Sequence, residues 1–70
     1  MKYYMTSTDD NRWWFCNAST LLAAKKAATL YYRGGFVGSI IKVAAGDGIT
    51  EERQILAQKR NDGYSTWQNI

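Results

Sequence analysis

The side chains that most often do chemistry are sparse in this chain. Histidine is absent, and there is one cysteine, Cys16. Nucleophilic catalysis pairs a hydroxyl or thiol with a nearby base, and histidine is the usual base. Cys16 sits in Arg12-Trp13-Trp14-Phe15-Cys16-Asn17, an aromatic, strand-like run. There a thiol reads as a small buried hydrophobe rather than a reactive group. A single cysteine forms no intramolecular disulfide, and no Cys/His cluster has metal-ligand spacing. Carboxylates occur as two adjacent pairs, Asp9-Asp10 and Glu51-Glu52. Such pairs can run acid–base chemistry or hold Mg²⁺. Nothing else converges on either pair, so a solvated turn and the charged start of an element account for them. Gly34-Gly35-Phe36-Val37-Gly38 is glycine-rich, but phosphate loops run from strand to helix and this one runs from helix to strand. Arg33-Gly34-Gly35-Phe36-Val37 half-matches the core of an RNA-recognition strand, yet its register fails and a second clear helix is lacking. The chain therefore reads as non-enzymatic, with no cofactor and no metal expected.

What remains is charge and aromatic surface. Nine Lys and Arg against six Asp and Glu give a formal net charge of +3. That is mildly basic, short of a dedicated DNA-compacting composition. The candidate binding residues are Lys25, Lys26, Arg33, Lys42, Lys59 and Arg60, with Trp13. Lys59-Arg60 stands beside a turn with aromatics nearby, a setting that suits phosphate contact. A scattered, solvated set of charges is the plainer account. Which of the two holds depends on whether the fold brings these cations to one surface.

The elements that must position them follow from local pattern. Lys2 to Thr6 alternates and is aromatic, as a strand would be. Ser7-Thr8-Asp9-Asp10-Asn11 is a polar turn, and Arg12 to Asn17 a second strand, giving an antiparallel hairpin. Ala18 to Arg33 is the long helical run. Ser19 is the expected N-cap. Leu21, Ala24, Ala28 and Tyr31 form one stripe, widened by Ala27 and Leu30, and small alanines let a helix lie close on a sheet. Lys25, Lys26, Thr29 and Arg33 lie towards the other side, with both lysines expected to be exposed. Gly34-Gly35 stops the helix. Phe36 to Ala45 reads as a third strand and Gly46-Asp47-Gly48 as a turn. Thr50 to Arg60 supports two readings. As a helix, it has a Thr50 cap, acids at its start and cations at its end. As an approach loop and a strand over Ile55 to Lys59, it leads into the hairpin turn Asn61-Asp62-Gly63. The strand is preferred because it uses both the Asp-Gly turn and the strand-like Tyr64-Ser65-Thr66-Trp67.

The expected architecture is a single α+β domain over residues 1–70. It has an antiparallel sheet of four to five strands with one helix packed on one face, in the order β-β-α-β-β-β. A chain this short buries only about 60% of the surface its unfolded form exposes. With no disulfide or metal, cohesion must come from three Trp, five Tyr and two Phe, or from self-association. A sheet covered on one face leaves the other to water. Side chains alternate, so Trp13 and Phe15 share one face and Trp14 and Cys16 the other. One Trp of the pair must point away from the helix. The N-terminus lacks a hydrophobic leader, and no apolar run approaches the about 20 residues that span a bilayer. Together with the lone cysteine this points to a reducing cytoplasm and no membrane partner.

The order of features resembles a known family. Ala18-Ser19-Thr20-Leu21 opens Ala23-Ala24-Lys25-Lys26-x-Ala28. Phe36-x-Gly38, Ile40-Ile41-Lys42-Val43 and a glycine turn follow. Leu56-Ala57-Gln58-Lys59-Arg60, Asp62-Gly63 and Trp67-x-Asn69 close the chain. Across Ala18 to Asn69 this is similar to the small phage anti-CRISPR inhibitors of the type I-F surveillance complex. The resemblance implies a phage-encoded inhibitor acting in the host bacterial cytoplasm. Its partner would be a host protein or ribonucleoprotein complex, through the Cas backbone subunits that hold the guide RNA, and binding would hinder target-DNA hybridisation. It implies contact through Lys25, Lys26, Lys42, Lys59 and Arg60. The connection Ile49 to Arg53 and the doubled Trp13-Trp14 depart from the family pattern. A net charge of +3 excludes an acidic DNA mimic, so such an inhibitor must meet acidic protein or bound nucleic acid. Two alternatives stay open: a small basic nucleic-acid-binding module, and a self-associating interaction protein. The expected state is a monomer or weak homodimer.

Overall fold

Five strands and one helix follow the expected order: β1 (Lys2–Ser7), β2 (Trp14–Cys16), α1 (Leu21–Tyr31), β3 (Ile40–Gly46), β4 (Gln54–Arg60) and β5 (Gln68–Asn69). The computed structural model describes residues 2–10, 12–35, 37–50 and 52–70. The strands form one antiparallel sheet in the order β2-β1-β3-β4-β5. Because β2 and β3 flank β1, the chain leaving β2 must cross β1 to begin β3. The helix makes that crossing, which is why it covers one face of the sheet.

Helix packing rests on small residues. Ala24 and Ala28 stand one turn apart and are fully buried against Met5, Cys16, Ile41 and Val43. With only methyl groups between them, the helix backbone lies close on β1 and β3. Leu21 joins this cluster from its edge, as does Tyr32 from just past the helix. The N-cap is Thr20 rather than Ser19: its backbone is extended and its Oγ1 accepts the amide of Ala23 at 3.1 Å. Ser19 stands one residue too early for that N-cap-to-N3 bond. At the other end Tyr32 caps the helix and Gly34 takes a positive φ of 81°, the left-handed step that glycine permits.

Other boundaries also move. Leu30 is 63% exposed and Tyr31 53% exposed, so neither completes the core stripe. Tyr31 instead stands against Trp14, ring centroids 6.2 Å apart, and against Tyr32 at 5.0 Å. The second strand shrinks to Trp14–Cys16, because Arg12 is held in the turn by its amide to Asp10 and its carbonyl to Thr6. The third strand begins at Ile40, since Gly38 has φ of 95°, outside the strand region. Phe36 and Glu51, two positions of the expected elements, lie outside the described residues.

The ambiguous stretch is a strand. β4 pairs with β3 from Arg60 opposite Ile40 to Gln54 opposite Ala45, with a bulge that leaves Leu56 without an opposite residue. The expected strand Tyr64 to Trp67 does not form. The Asp62 carboxylate accepts the amides of Tyr64 at 2.9 Å and Ser65 at 2.8 Å. A local acceptor thus takes donors that a ladder would need. The final strand is only Gln68–Asn69. Among the described residues, no helix is long and apolar enough to cross a membrane.

Candidate functional site

The helix packs on β1, β3 and β2, which leaves the β4–β5 side of the same sheet face uncovered. A groove of about 520 Å³ opens there between α1 and the C-terminal segment. Lys25, Lys26 and Lys59 stand around it, and Leu22, Leu30 and Trp67 supply its apolar walls. Among the described residues, its lining contains no acid. Sheet register explains how a lysine reaches it. Lys59 pairs with Ile41 and so shares the helix-bearing face.

Trp67 is fixed by a short relay. Its Nε1 donates to Thr29 Oγ1 at 3.2 Å, and that hydroxyl donates to the Lys25 carbonyl at 2.9 Å. Lys25 is partly buried and donates from Nζ to Asn69 Oδ1 at 2.6 Å. Lys25 and Thr29 are therefore not solvated helix positions: both tie α1 to the C-terminal segment. Lys26 is exposed.

The remaining expected site residues go elsewhere. Arg60 follows Lys59 by one residue and faces the opposite side of the sheet. Lys42, paired with Thr6 and Gln58, shares that opposite face. There it lines a hollow of about 250 Å³ with Trp13, which is thus the Trp that points away from the helix. Arg33 lies exposed past the helix end and joins neither surface. The basic set is thus split: three lysines in the groove, Lys42 and Arg60 behind the sheet with Trp13, and Arg33 apart.

The charged side chains that line the groove are lysines. Among the described residues, the acids all lie outside α1 and the five strands. Asp47 accepts the amides of Ile49 at 2.8 Å and Thr50 at 2.9 Å, which lower its pKa. Asp62 is held down to about 2 by the Ser65 and Tyr64 amides. Asp9 accepts the Ser7 hydroxyl. Asp10 accepts from Trp14 Nε1 at 2.7 Å and from the Tyr32 hydroxyl at 3.4 Å, joining the hairpin to the end of α1. Burial first, and then the Asp10 carboxylate, push the Tyr32 phenol upward. The first acidic pair is therefore engaged in turn and tie contacts. Cys16 is 1% exposed and burial raises its thiol. Among the described residues, no group of three His, Cys, Asp or Glu side chains could hold a metal ion.

Trp67, Thr29, Leu22 and Leu30 are groove residues that the pattern of charges did not single out. The usable signal was Leu22, Lys26 and Leu30 at i, i+4 and i+8, a helix row lying off the alanine stripe. In comparisons with known protein families, curated proteins and solved structures, the chain finds no match.

Proposed function

We propose that this protein is a non-catalytic inhibitor that docks through the α1/β4–β5 groove onto a host defence ribonucleoprotein. The observation that carries the docking reading is the convergence of Lys25, Lys26 and Lys59 around Trp67 and two leucines. Tryptophan in a partly desolvated pocket is a favoured binding anchor, and surrounding charges steer an oppositely charged partner. An apolar side chain of the partner would lie on Leu22, Leu30 and Trp67. Its carboxylates, or phosphates that it holds, would reach Lys26 and Lys59. The sequence resemblance supports the choice of partner: the type I-F surveillance complex, through the backbone subunits that carry the guide RNA, in the cytoplasm of an infected bacterium. Occupying that surface would hinder hybridisation with target DNA.

The test is association with purified type I-F surveillance complex, followed optically at several salt concentrations. Lys26→Glu with Lys59→Glu turns the formal net charge from +3 to negative and places two acids beside Trp67. Slower, less salt-sensitive association and at least tenfold weaker binding are expected. Lys25 is left unchanged because its bond to Asn69 is structural. No binding by the unmodified protein, or equal binding by the double variant, would remove the proposal.

A further inference from the structure

The face of the sheet away from α1 is a second surface with its own composition. Its strand positions include Lys2, Tyr4 and Thr6 on β1, Phe15 on β2, Lys42 on β3, and Gln58 and Arg60 on β4. No acidic residue lies in any of the five strands. Phe15 is 55% exposed. Its ring is steadied edge-on by Tyr4, with centroids 5.9 Å apart, and Lys2 Nζ stands 6.0 Å from its centre. Tyr4 is itself covered by the Arg53 guanidinium at 3.9 Å, so it supports Phe15 rather than presenting a free ring. Trp13, two residues before Phe15 and on the same face, lines the hollow shared with Thr6, Lys42 and Asp10, whose carboxylate accepts from Trp14 Nε1.

We propose that this face binds single-stranded nucleic acid, without strong sequence preference, by stacking bases on Phe15 and Trp13 and meeting phosphates with Lys2, Lys42 and Arg60. Charge complementarity selects a polyanion. The exposed Phe15 ring selects one with unpaired bases, because a base has a free π-face to offer only when it is unstacked. Phe15 on β2 and Trp13 just before that strand, beside a cation on a central strand, let successive nucleotides run across the sheet. The surface is independent of the groove, which lies on the opposite side.

Fluorescence anisotropy of labelled oligothymidylate tests this, with a hairpin duplex of the same length as the second arm. The single strand should bind at low salt and weaken steeply as salt rises, with the duplex bound at least tenfold more weakly. Phe15→Leu keeps an apolar cover but removes the ring, and should cost about tenfold in affinity; Phe15→Tyr should restore it. Lys42→Gln should flatten the log–log salt slope by about 0.7, the value of one phosphate contact on a single strand. Phe15→Leu should leave association with the surveillance complex unchanged, so each surface can fail without the other. Several results overturn the proposal: no binding at low salt, equal affinity for duplex, or affinity indifferent to Phe15→Leu. So does sedimentation showing that the face pairs two copies, with a dimer abolished by Phe15→Leu and no oligonucleotide bound.

Discussion

Removing Trp67 should loosen the whole C-terminal segment as well as the groove. β5 contributes only two paired residues, Gln68 opposite Gln58 and Asn69 opposite Ala57. What else holds the segment is the Trp67 ring on the core, its Nε1 bond to Thr29, the Lys25–Asn69 bond and the Ile70 amide on the Leu56 carbonyl at 2.9 Å. An aromatic ring of roughly 150–250 Å² at about 25 cal/mol per Å² is worth about 4–6 kcal/mol when fully buried. Trp67 is only partly buried, and the unfolded chain already hides some of that area, which brings the figure to about 2 kcal/mol. The indole hydrogen bond adds about 1 kcal/mol. A loss of about 3 kcal/mol is large against the roughly 4–10 kcal/mol expected for a domain of this length. Trp67→Ala should therefore lower the melting temperature by about 12–24 °C. It should also expose the amide of Ile70 to rapid hydrogen exchange. Trp67→Phe keeps most of the ring and should cost about 1 kcal/mol, since Thr29 retains its bond to Lys25. Circular dichroism melts and amide exchange measure both variants. A fall below about 4 °C in Trp67→Ala, with Ile70 still protected, would refute the assignment of Trp67 as the clamp.

Thr20→Ala should lower stability by about 1 kcal/mol, while Ser19→Ala should stay within about 0.5 kcal/mol; thermal melts showing the reverse order would return the N-cap to Ser19. Cys16 should resist iodoacetamide under native conditions and react only on opening, since it is 1% exposed and burial raises its thiol; rapid stoichiometric labelling of the folded protein would contradict its place in the core. The Asp62 carboxyl should titrate at about 2 instead of its ordinary 3.8. Its contribution to loop order is then complete above the ordinary value and is lost as pH falls through about 2. An NMR midpoint near 3.8 would show that the Tyr64 and Ser65 amides do not hold it.

Element order was legible because each signal was local. The alanine-rich run, the Gly34 stop and the β-branched centre of β3 each carry their own periodicity or backbone requirement. The strand at Gln54–Arg60 could be chosen over a helix because the residues after it had to turn back. The misreadings came where two local preferences competed. Tyr64 to Trp67 has strand composition, but the Asp62 side chain captures the amides of Tyr64 and Ser65 first. Leu30 and Tyr31 suit a core stripe, but both are more than half exposed: Leu30 lines the groove and Tyr31 stands against Trp14. Lys59 and Arg60 are neighbours in sequence, but adjacent strand residues face opposite sides of a sheet. The approach of Lys59 to Lys25 and Lys26 was not legible at all. It depends on β4 lying beside β3, and on the helix stopping short of it.

The same alanines decide where binding surface can exist. Methyl side chains at Ala24 and Ala28 let α1 settle low over β1 and β3, so one short helix can satisfy the centre of the sheet. A helix with larger residues there would stand higher and need partners across a wider width of sheet. Settled low, α1 leaves the β4–β5 side of that face open, and the apolar residues that would have covered it are reduced to Leu22, Leu30 and Trp67. Meanwhile the carboxylates of the described residues are kept to the connections, where Asp9, Asp10, Asp47 and Asp62 hold turns and ties. Cations are therefore the only charged side chains on the helix and strands. Lys25 is tied to Asn69, which leaves Lys26 and Lys59 as the groove's available charges. A modest overall charge of +3 is in this way concentrated into two basic, aromatic surfaces on opposite sides of one thin sheet.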